Sequence, residues 1–110
     1  MAFDEKLAAR IRNQLGRKKG VSEKKMFGGV AFLLNGNMSC GVHGEQMIVR
    51  LAPDETDAAL AQQHTRVFDL SGGRPMKGWI LVEPDGLKAD RALAKWVETG
   101  VSYAASLPPK

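Results

Sequence analysis

Apolar side chains recur at different spacings along the chain, and the changes in spacing predict its elements. Phe3, Leu7, Ile11 and Leu15 recur every four residues, which places them on one stripe of an α-helix. Acidic residues open this segment and basic ones follow, the order that the helix dipole favours. The stretch RKKG at 17–20 is predicted to end this first helix.

After the first helix the apolar spacing changes to one typical of β-strands. The stretch MFGGVAFLL at 26–34 is predicted as a strand, and Asn35-Gly36 supplies the positive φ angles of a tight hairpin turn. MSCGV at 38–42 and MIVRL at 47–51 follow as the second and third strands. Together they predict an antiparallel meander.

The second half of the chain alternates helix and strand patterns. Pro53 opens a helix with an acidic first turn that is predicted to end near His64. RVFDL at 66–70 and GWILVE at 78–83 are two more strands. The final helix carries an apolar stripe made of Ala89, Leu93, Trp96, Val97, Gly100 and Ala104.

The order helix, three strands, helix, two strands, helix predicts an α+β fold. Helices would cover a mostly antiparallel sheet in two layers, because an amphipathic helix must bury its apolar stripe against a sheet face. No internal repeat or linker divides the chain, so residues 1–110 are expected to form a single domain.

Alternation along the strands predicts that both faces of the sheet are apolar. The first face is expected to hold Val30, Phe32, Leu34, Met38, Cys40, Val42, Met47, Val49 and Leu51. The second face still carries Ala31, Leu33 and Ile48, and the last strand is apolar on both sides. Because such a face is too apolar to be left bare to water, we expect a second copy of the chain to cover it, as a homodimer.

Composition places the chain among ordinary globular domains. Hydrophobic residues make up 44% and charged residues 25%, and a single cysteine cannot form an internal disulfide. No secretory signal pattern and no apolar run of roughly 20 residues occurs, so we expect a cytoplasmic protein without a membrane span.

The net charge of +4 is unevenly distributed. Residues 1–25 hold eight Lys or Arg against three Asp or Glu, a net of +5, so the remaining residues sum to −1. A positive segment over 6–25 favours acidic partners, nucleic acid included, although a solvated helix face with a basic loop explains the same pattern. Phe27 is the aromatic residue nearest to these basic residues, and aromatic platforms for stacking bases are otherwise absent there. Nucleic-acid binding is therefore expected to be weak and insensitive to base sequence.

The motifs that carry chemistry are sparse. Cys40 and His43 lie three positions apart on one strand and so point to opposite faces, and only three Cys or His residues exist where zinc needs four ligands. The glycines at 28–29 precede a strand and follow two lysines, unlike a phosphate-binding loop, which feeds a helix. We therefore predict a β-bulge or a close backbone approach there, and no catalytic residue, metal or cofactor.

One possible binding site is predicted from two glycine-rich basic segments. The segments at 24–29 and 72–78 carry Lys24, Lys25, Arg74 and Lys77. If the strand order brought them to the same end of the sheet, these cations would bind an anion or an acidic partner loop, with Arg74 as the most directional contact.

Three stretches, KKMFGGVAFLLNGNM at 24–38, SGGRPMKGWILV at 71–82 and KWVETGVSYAASLPPK at 95–110, resemble the N-terminal domain family of the TfoX/Sxy competence regulators. The resemblance covers nearly the whole chain. It implies a two-layer α+β fold, similar to secretion-chaperone-like domains, which are often dimers. Full-length bacterial members continue into a second, helical domain and act with the cyclic-AMP receptor protein at promoters, whereas this sequence is similar only to their first domain. The family supplies no catalytic residues to transfer.

The sequence therefore predicts a non-enzymatic regulatory or protein-binding domain with a protein partner of unknown identity. Two alternatives stay open. One is a nucleic-acid-binding accessory protein that uses segment 6–25. The other is a small enzyme with an anion-binding pocket formed by the two glycine-rich basic segments.

Overall fold

The computed structural model describes residues 3–16, 18–26, 28–68 and 77–109. These residues form three α-helices and six β-strands, together with two short 3-10 turns. In chain order the elements are α1 (Glu5–Leu15), β1 (Val21–Met26), β2 (Gly29–Leu34), β3 (Asn37–His43), β4 (Gln46–Arg50), α2 (Thr56–Leu60), β5 (Thr65–Val67), β6 (Trp79–Val82) and α3 (Asp90–Ala105).

The strands form one antiparallel sheet in the order β1-β2-β3-β4-β6-β5. The predicted α+β fold class is confirmed, but the meander has four strands where three were predicted. The missed strand, β1, reads VSEKKM, and its residues 22–25 are exposed. An edge strand that buries so little shows no alternation of apolar and polar positions, so its pattern was interpreted as a basic loop.

Helices α1 and α3 pack on the first face of the sheet and enclose the main core. Leu7, Ile11 and Leu15 of α1 are buried there as their spacing predicts, while Phe3 precedes the helix. The side chain of Asp4 accepts hydrogen bonds from the backbone amides of residues 6 and 7, which caps the start of α1.

The predicted first face is correct except at Met38. The register between β2 and β3 shifts by one residue after the pair Phe32 and Cys40, because Ser39 is an extra residue on β3. The buried hydroxyl of Ser39 donates to the carbonyl oxygen of Phe32 at 2.9 Å, which fixes this β-bulge. Met38 is therefore turned to the second face, where it packs with Ala31 and Ile48.

The second face is apolar as predicted, but its centre is already buried within a single chain. Ala31 and Ile48 have no exposed area, Leu81 is 3% exposed and Phe68 is 6% exposed. A second copy is therefore not needed to cover these described residues, and the observation that motivated the homodimer does not hold for them.

Two elements, the second helix and the fifth strand, differ in their boundaries from the predictions. The second helix is only five residues long, because the segment from Pro53 to Glu55 forms a 3-10 turn before α2. The fifth strand is Thr65–Val67, and positions 69–70 of its predicted range lie outside the described residues. Within the described part of the chain, no helix is long and apolar enough to cross a membrane.

Candidate functional site

The glycines at 28–29 serve the sheet, as predicted. At Gly29 an added Cβ would fall well inside the contact distance of the carbonyl oxygen of Val42 on the neighbouring strand β3. Only a residue without a side chain fits at this close backbone approach. The glycine pair is explained by packing, and a strand, not a helix, follows it.

Of the four cations predicted to form an anion site, the three that the structure describes do not lie together. Lys24 and Lys25 are exposed on β1 at one edge of the sheet. Lys77 precedes β6, which lies four strand positions away, roughly 19 Å at the usual strand spacing. The pairing register also puts Lys25 level with Val82, whereas Lys77 lies beyond the opposite end of β6. The structure thus keeps Lys77 away from Lys24 and Lys25.

The fourth predicted cation, Arg74, lies outside the described residues. Lys77 is exposed, and its Nζ lies 3.9 Å from Oδ2 of Asp57, which is also exposed. Anion binding by these cations individually stays a prediction.

The basic first quarter is partly neutralised by its own contacts. Arg12 makes a two-pronged ion pair with Glu23, with Nε–Oε2 at 2.6 Å and Nη2–Oε1 at 2.8 Å. The hydrogen bond from Arg12 holds the pKa of Glu23 below its usual value and raises the pKa of Arg12. Arg10 pairs with Asp90 at 3.1 Å. Among the described residues of the segment, which leave out Arg17, the exposed cations that remain are Lys6, Lys18, Lys19, Lys24 and Lys25.

Cys40 is a core residue with no accessible surface. Burial raises the pKa of its thiol to about 12, only partly offset by the hydrogen bond from Ser39. A thiol so far from ionisation is a poor nucleophile and a poor metal ligand. His43 is the last residue of β3, and no group of three or more His, Cys, Asp or Glu among the described residues is placed to hold a metal ion.

A groove with a volume of about 580 Å³ lies between the end of α2 and α3. Two of its polar side chains, Lys95 and Gln62, form a hydrogen bond with each other. Lys95 donates from Nζ to Oε1 of Gln62 at 2.5 Å, and the same Nζ lies 4.4 Å from the ring centroid of Trp96. Lys95 therefore joins the segment that follows α2 to α3, and Asp85, another charged residue of the groove, pairs with Lys88.

A different cation lies against aromatic rings at the end of β4. The guanidinium carbon of Arg50 is 5.2 Å from the ring centroid of Trp79 and 5.4 Å from that of Tyr103. Both distances are within cation–π range. Trp79 stands opposite Arg50 in the pairing of β4 with β6, and Tyr103 comes from the second half of α3. All three residues are half-buried, and we call them the Arg50 cluster.

The guanidinium of Arg50 is positioned by rings and not by acceptors. Among the described residues, the ion pairs are made by five other cations, and no hydrogen bond uses the side chain of Arg50. A guanidinium carries five N–H donors in a planar fork that fits a carboxylate or a phosphate. The Arg50 cluster thus presents a half-buried cation whose donors have no acceptor among the described residues.

An apolar cavity adjoins the Arg50 cluster through Trp79. It measures about 190 Å³, and its apolar wall consists of Leu60, Val67, Phe68 and Trp79. The rings of Phe68 and Trp79 are in contact, with their centroids 5.6 Å apart. Val67 is 39% exposed, the large apolar side chain most open to water in the described part of the chain.

The sequence analysis missed the Arg50 cluster, although one signal for it exists. Arg50 has the same strand parity as Ile48, so the sequence places a cation beside the apolar centre of the second face. Its contact with Tyr103 joins residues 53 positions apart in the chain and depends on how α3 crosses the sheet. No local pattern predicts such a contact.

A family model described as the TfoX N-terminal domain matches residues 13–104 of the chain. The match spans the whole sheet, α2 and nearly all of α3, but only the last turn of α1. No curated protein and no solved structure matches the chain.

Proposed function

The chain belongs to the TfoX N-terminal domain family, and from this premise we propose that it is a non-enzymatic regulatory domain that works by binding another protein. The observation that carries the proposal is the Arg50 cluster with its neighbouring cavity. Arg, Trp and Tyr are the residue types that supply most of the binding energy at protein interfaces. Here one of each meets at the surface, in partly desolvated surroundings.

Nucleic-acid binding through segment 6–25 is the second candidate, supported by the exposed lysines of α1, β1 and the loop between them. Phosphate contacts alone would supply such binding, because the sequence of segment 6–25 contains no aromatic residue on which bases could stack. It would be insensitive to base sequence and lost at moderate salt, and the pairing of Arg10 and Arg12 with carboxylates weakens it further.

The homodimer expected from the sequence stays part of the proposal on different grounds. In the part of the chain that the structure describes, strand β1 pairs with β2 alone, so its other backbone edge is open over six residues. An open edge of this length is a template for pairing with another chain.

Protein binding can be tested by affinity capture of the tagged chain from a nuclease-treated lysate of its own cells. We expect a protein to be recovered in an amount comparable to the bait, and to be lost when Arg50→Met removes the guanidinium. Arg66→Met is the matched control, because Arg66 lies exposed on β5 and pairs with Glu83. Circular dichroism melting curves check that both variants fold.

The outcomes separate the two candidates. Equal recovery with Arg50→Met and Arg66→Met would reject the Arg50 cluster as the binding surface. Recovery from an untreated lysate that is lost when the lysate is treated with nuclease would favour nucleic-acid binding instead. If no protein or nucleic acid is retained above an untagged control, both candidates fail.

A further inference from the structure

Resting on the proposed protein-binding function, we infer that the Arg50 cluster and the adjoining cavity recognise a protein segment in which an acidic residue stands within two positions of a large apolar residue. The carboxylate would accept from the guanidinium of Arg50, and the apolar side chain would fill the cavity beside Trp79. The inference follows from the chemistry of the two halves of this surface and from their continuity through Trp79.

The Arg50 cluster, the first half of this surface, favours a negatively charged group on the partner. Arg50 is half-buried and held near two rings, but no described residue supplies an acceptor for its donors. A partly desolvated cation that lacks a carboxylate leaves hydrogen-bonding capacity unused, and a partner's carboxylate would use it in a charge-assisted bond. Lys77, at the edge of the cavity, has less need of a partner's carboxylate, because it is exposed to water and its Nζ lies 3.9 Å from Asp57.

The cavity beside Trp79, the second half of this surface, favours an apolar side chain of limited size on the partner. The cavity of about 190 Å³ is walled by Leu60, Val67, Phe68 and Trp79. A cavity of about 150 Å³ with a similar lining is large enough for a benzene ring. One leucine, methionine or phenylalanine side chain would therefore fit, whereas most cofactors need roughly 300 Å³ or more.

Continuity between the halves favours a protein segment over a free small anion. Trp79 contributes both to the cation–π contact with Arg50 and to the cavity wall. Side chains two positions apart in an extended peptide point to the same side and lie about 6.6 Å apart, so they can reach two sites that share one indole ring. A phosphate or a small carboxylic acid would use only the guanidinium.

Selection from a random twelve-residue peptide library displayed on phage, with the purified full chain as bait, tests this inference. We expect the enriched peptides to carry Asp or Glu within two positions of Leu, Ile, Met or Phe. Replacing that acidic residue by its amide should weaken binding about tenfold or more on the unaltered chain, the usual effect of losing a charged hydrogen bond. On Arg50→Met the same replacement should have almost no effect, whereas on Arg66→Met it should weaken binding as on the unaltered chain.

Enriched peptides without an acidic residue, no enrichment over a bait-free control, or equal binding by Arg50→Met would each overturn the inference. Peptides that reproduce a stretch of this chain would overturn it as well, because a second copy would then be the occupant. If the inference fails while a protein is still captured through the Arg50 cluster from the native cell, only the partner chemistry is rejected. Failure of the capture rejects the proposed function itself.

Discussion

The thiol of Cys40 provides a sensitive test of core packing at the scale of one residue. Its pKa is raised by burial to about 12, from 9.0 when solvated, so roughly one molecule in ten thousand carries a thiolate at pH 8. We expect an aromatic disulfide reagent to leave the folded chain unlabelled at pH 8 and to label it fully in denaturant. Rapid stoichiometric labelling of the folded chain would contradict the burial of this side chain.

The same shift predicts how stability depends on alkaline pH. Because the folded pKa of Cys40 is raised above that of the unfolded chain, its contribution to stability is complete below about pH 9 and declines as the pH rises toward 12. The urea midpoint should therefore fall between pH 8 and pH 10.5. Cys40→Ala serves as the control, since its midpoint should fall less over this range, and parallel curves for the two chains would argue against the effect.

The ion pair between Arg12 and Glu23 joins α1 to β1 and predicts the opposite pH behaviour. The hydrogen bond from Arg12 lowers the pKa of Glu23, so this contribution is present above about pH 4.5 and is lost as the pH falls through the lowered folded value. Both side chains are largely exposed, so a double-mutant cycle with Arg12→Ala and Glu23→Gln should give a coupling of about 0.5 kcal/mol at pH 7. The coupling should shrink as the pH is lowered below 4.5, and a coupling that stays equal down to pH 2.5 would rule out this ion pair as its source.

At the scale of elements, helix α3 approaches the sheet closely at Gly100. An added Cβ there would overlap the backbone carbonyl oxygen of Ser39, at the β-bulge in β3. Gly100→Ala should therefore lower the free energy of unfolding by about 2 kcal/mol, although alanine is favoured over glycine by about 1 kcal/mol in an exposed helix.

Ser102→Ala, on the exposed side of the same helix, is the matched control and should change stability by less than about 0.5 kcal/mol. Chemical denaturation of the three chains measures both effects. A Gly100→Ala variant that is more stable than the unaltered chain would show that α3 does not pack at this distance.

The elements that the sequence predicted correctly are those with a buried apolar period. Helices α1 and α3 and strands β2, β3, β4 and β6 each bury a regular stripe or face, and each was expected close to its observed position. Strand β1 and the reversal at Met38 were missed for two physical reasons. An edge strand can be polar throughout, and a β-bulge changes which face a residue occupies without changing the local composition.

The candidate site was less predictable than the fold because it depends on contacts between elements. Lys24, Lys25 and Lys77 were grouped by their similar glycine-rich surroundings, but the strand order separates the first two from the third. The Arg50 cluster instead joins β4, β6 and α3. Only the parity of Arg50 with Ile48 hinted at it from the sequence.

At the scale of the whole molecule, the open edge of β1 bears on oligomeric state. The predicted homodimer would give twice the monomer mass of 12.0 kDa in light scattering at high micromolar concentration. Pairing through β1 further predicts that a proline in place of Lys24 or Lys25, whichever has its amide on the open edge, shifts the mass to that of the monomer. A monomer mass for the unaltered chain would contradict the homodimer and leave the Arg50 cluster unaffected.

Site-specific photo-crosslinking in the native cell tests most directly whether this domain works by binding a protein at the Arg50 cluster. Benzoylphenylalanine would replace Tyr103 in the cluster or Val67 at the cavity, with exposed Lys19 and Glu98 as control positions. We predict a covalent adduct with one protein at 103 and 67 and none at 19 and 98. Adducts of equal yield at all four positions, or adducts at 19 alone, would contradict the account.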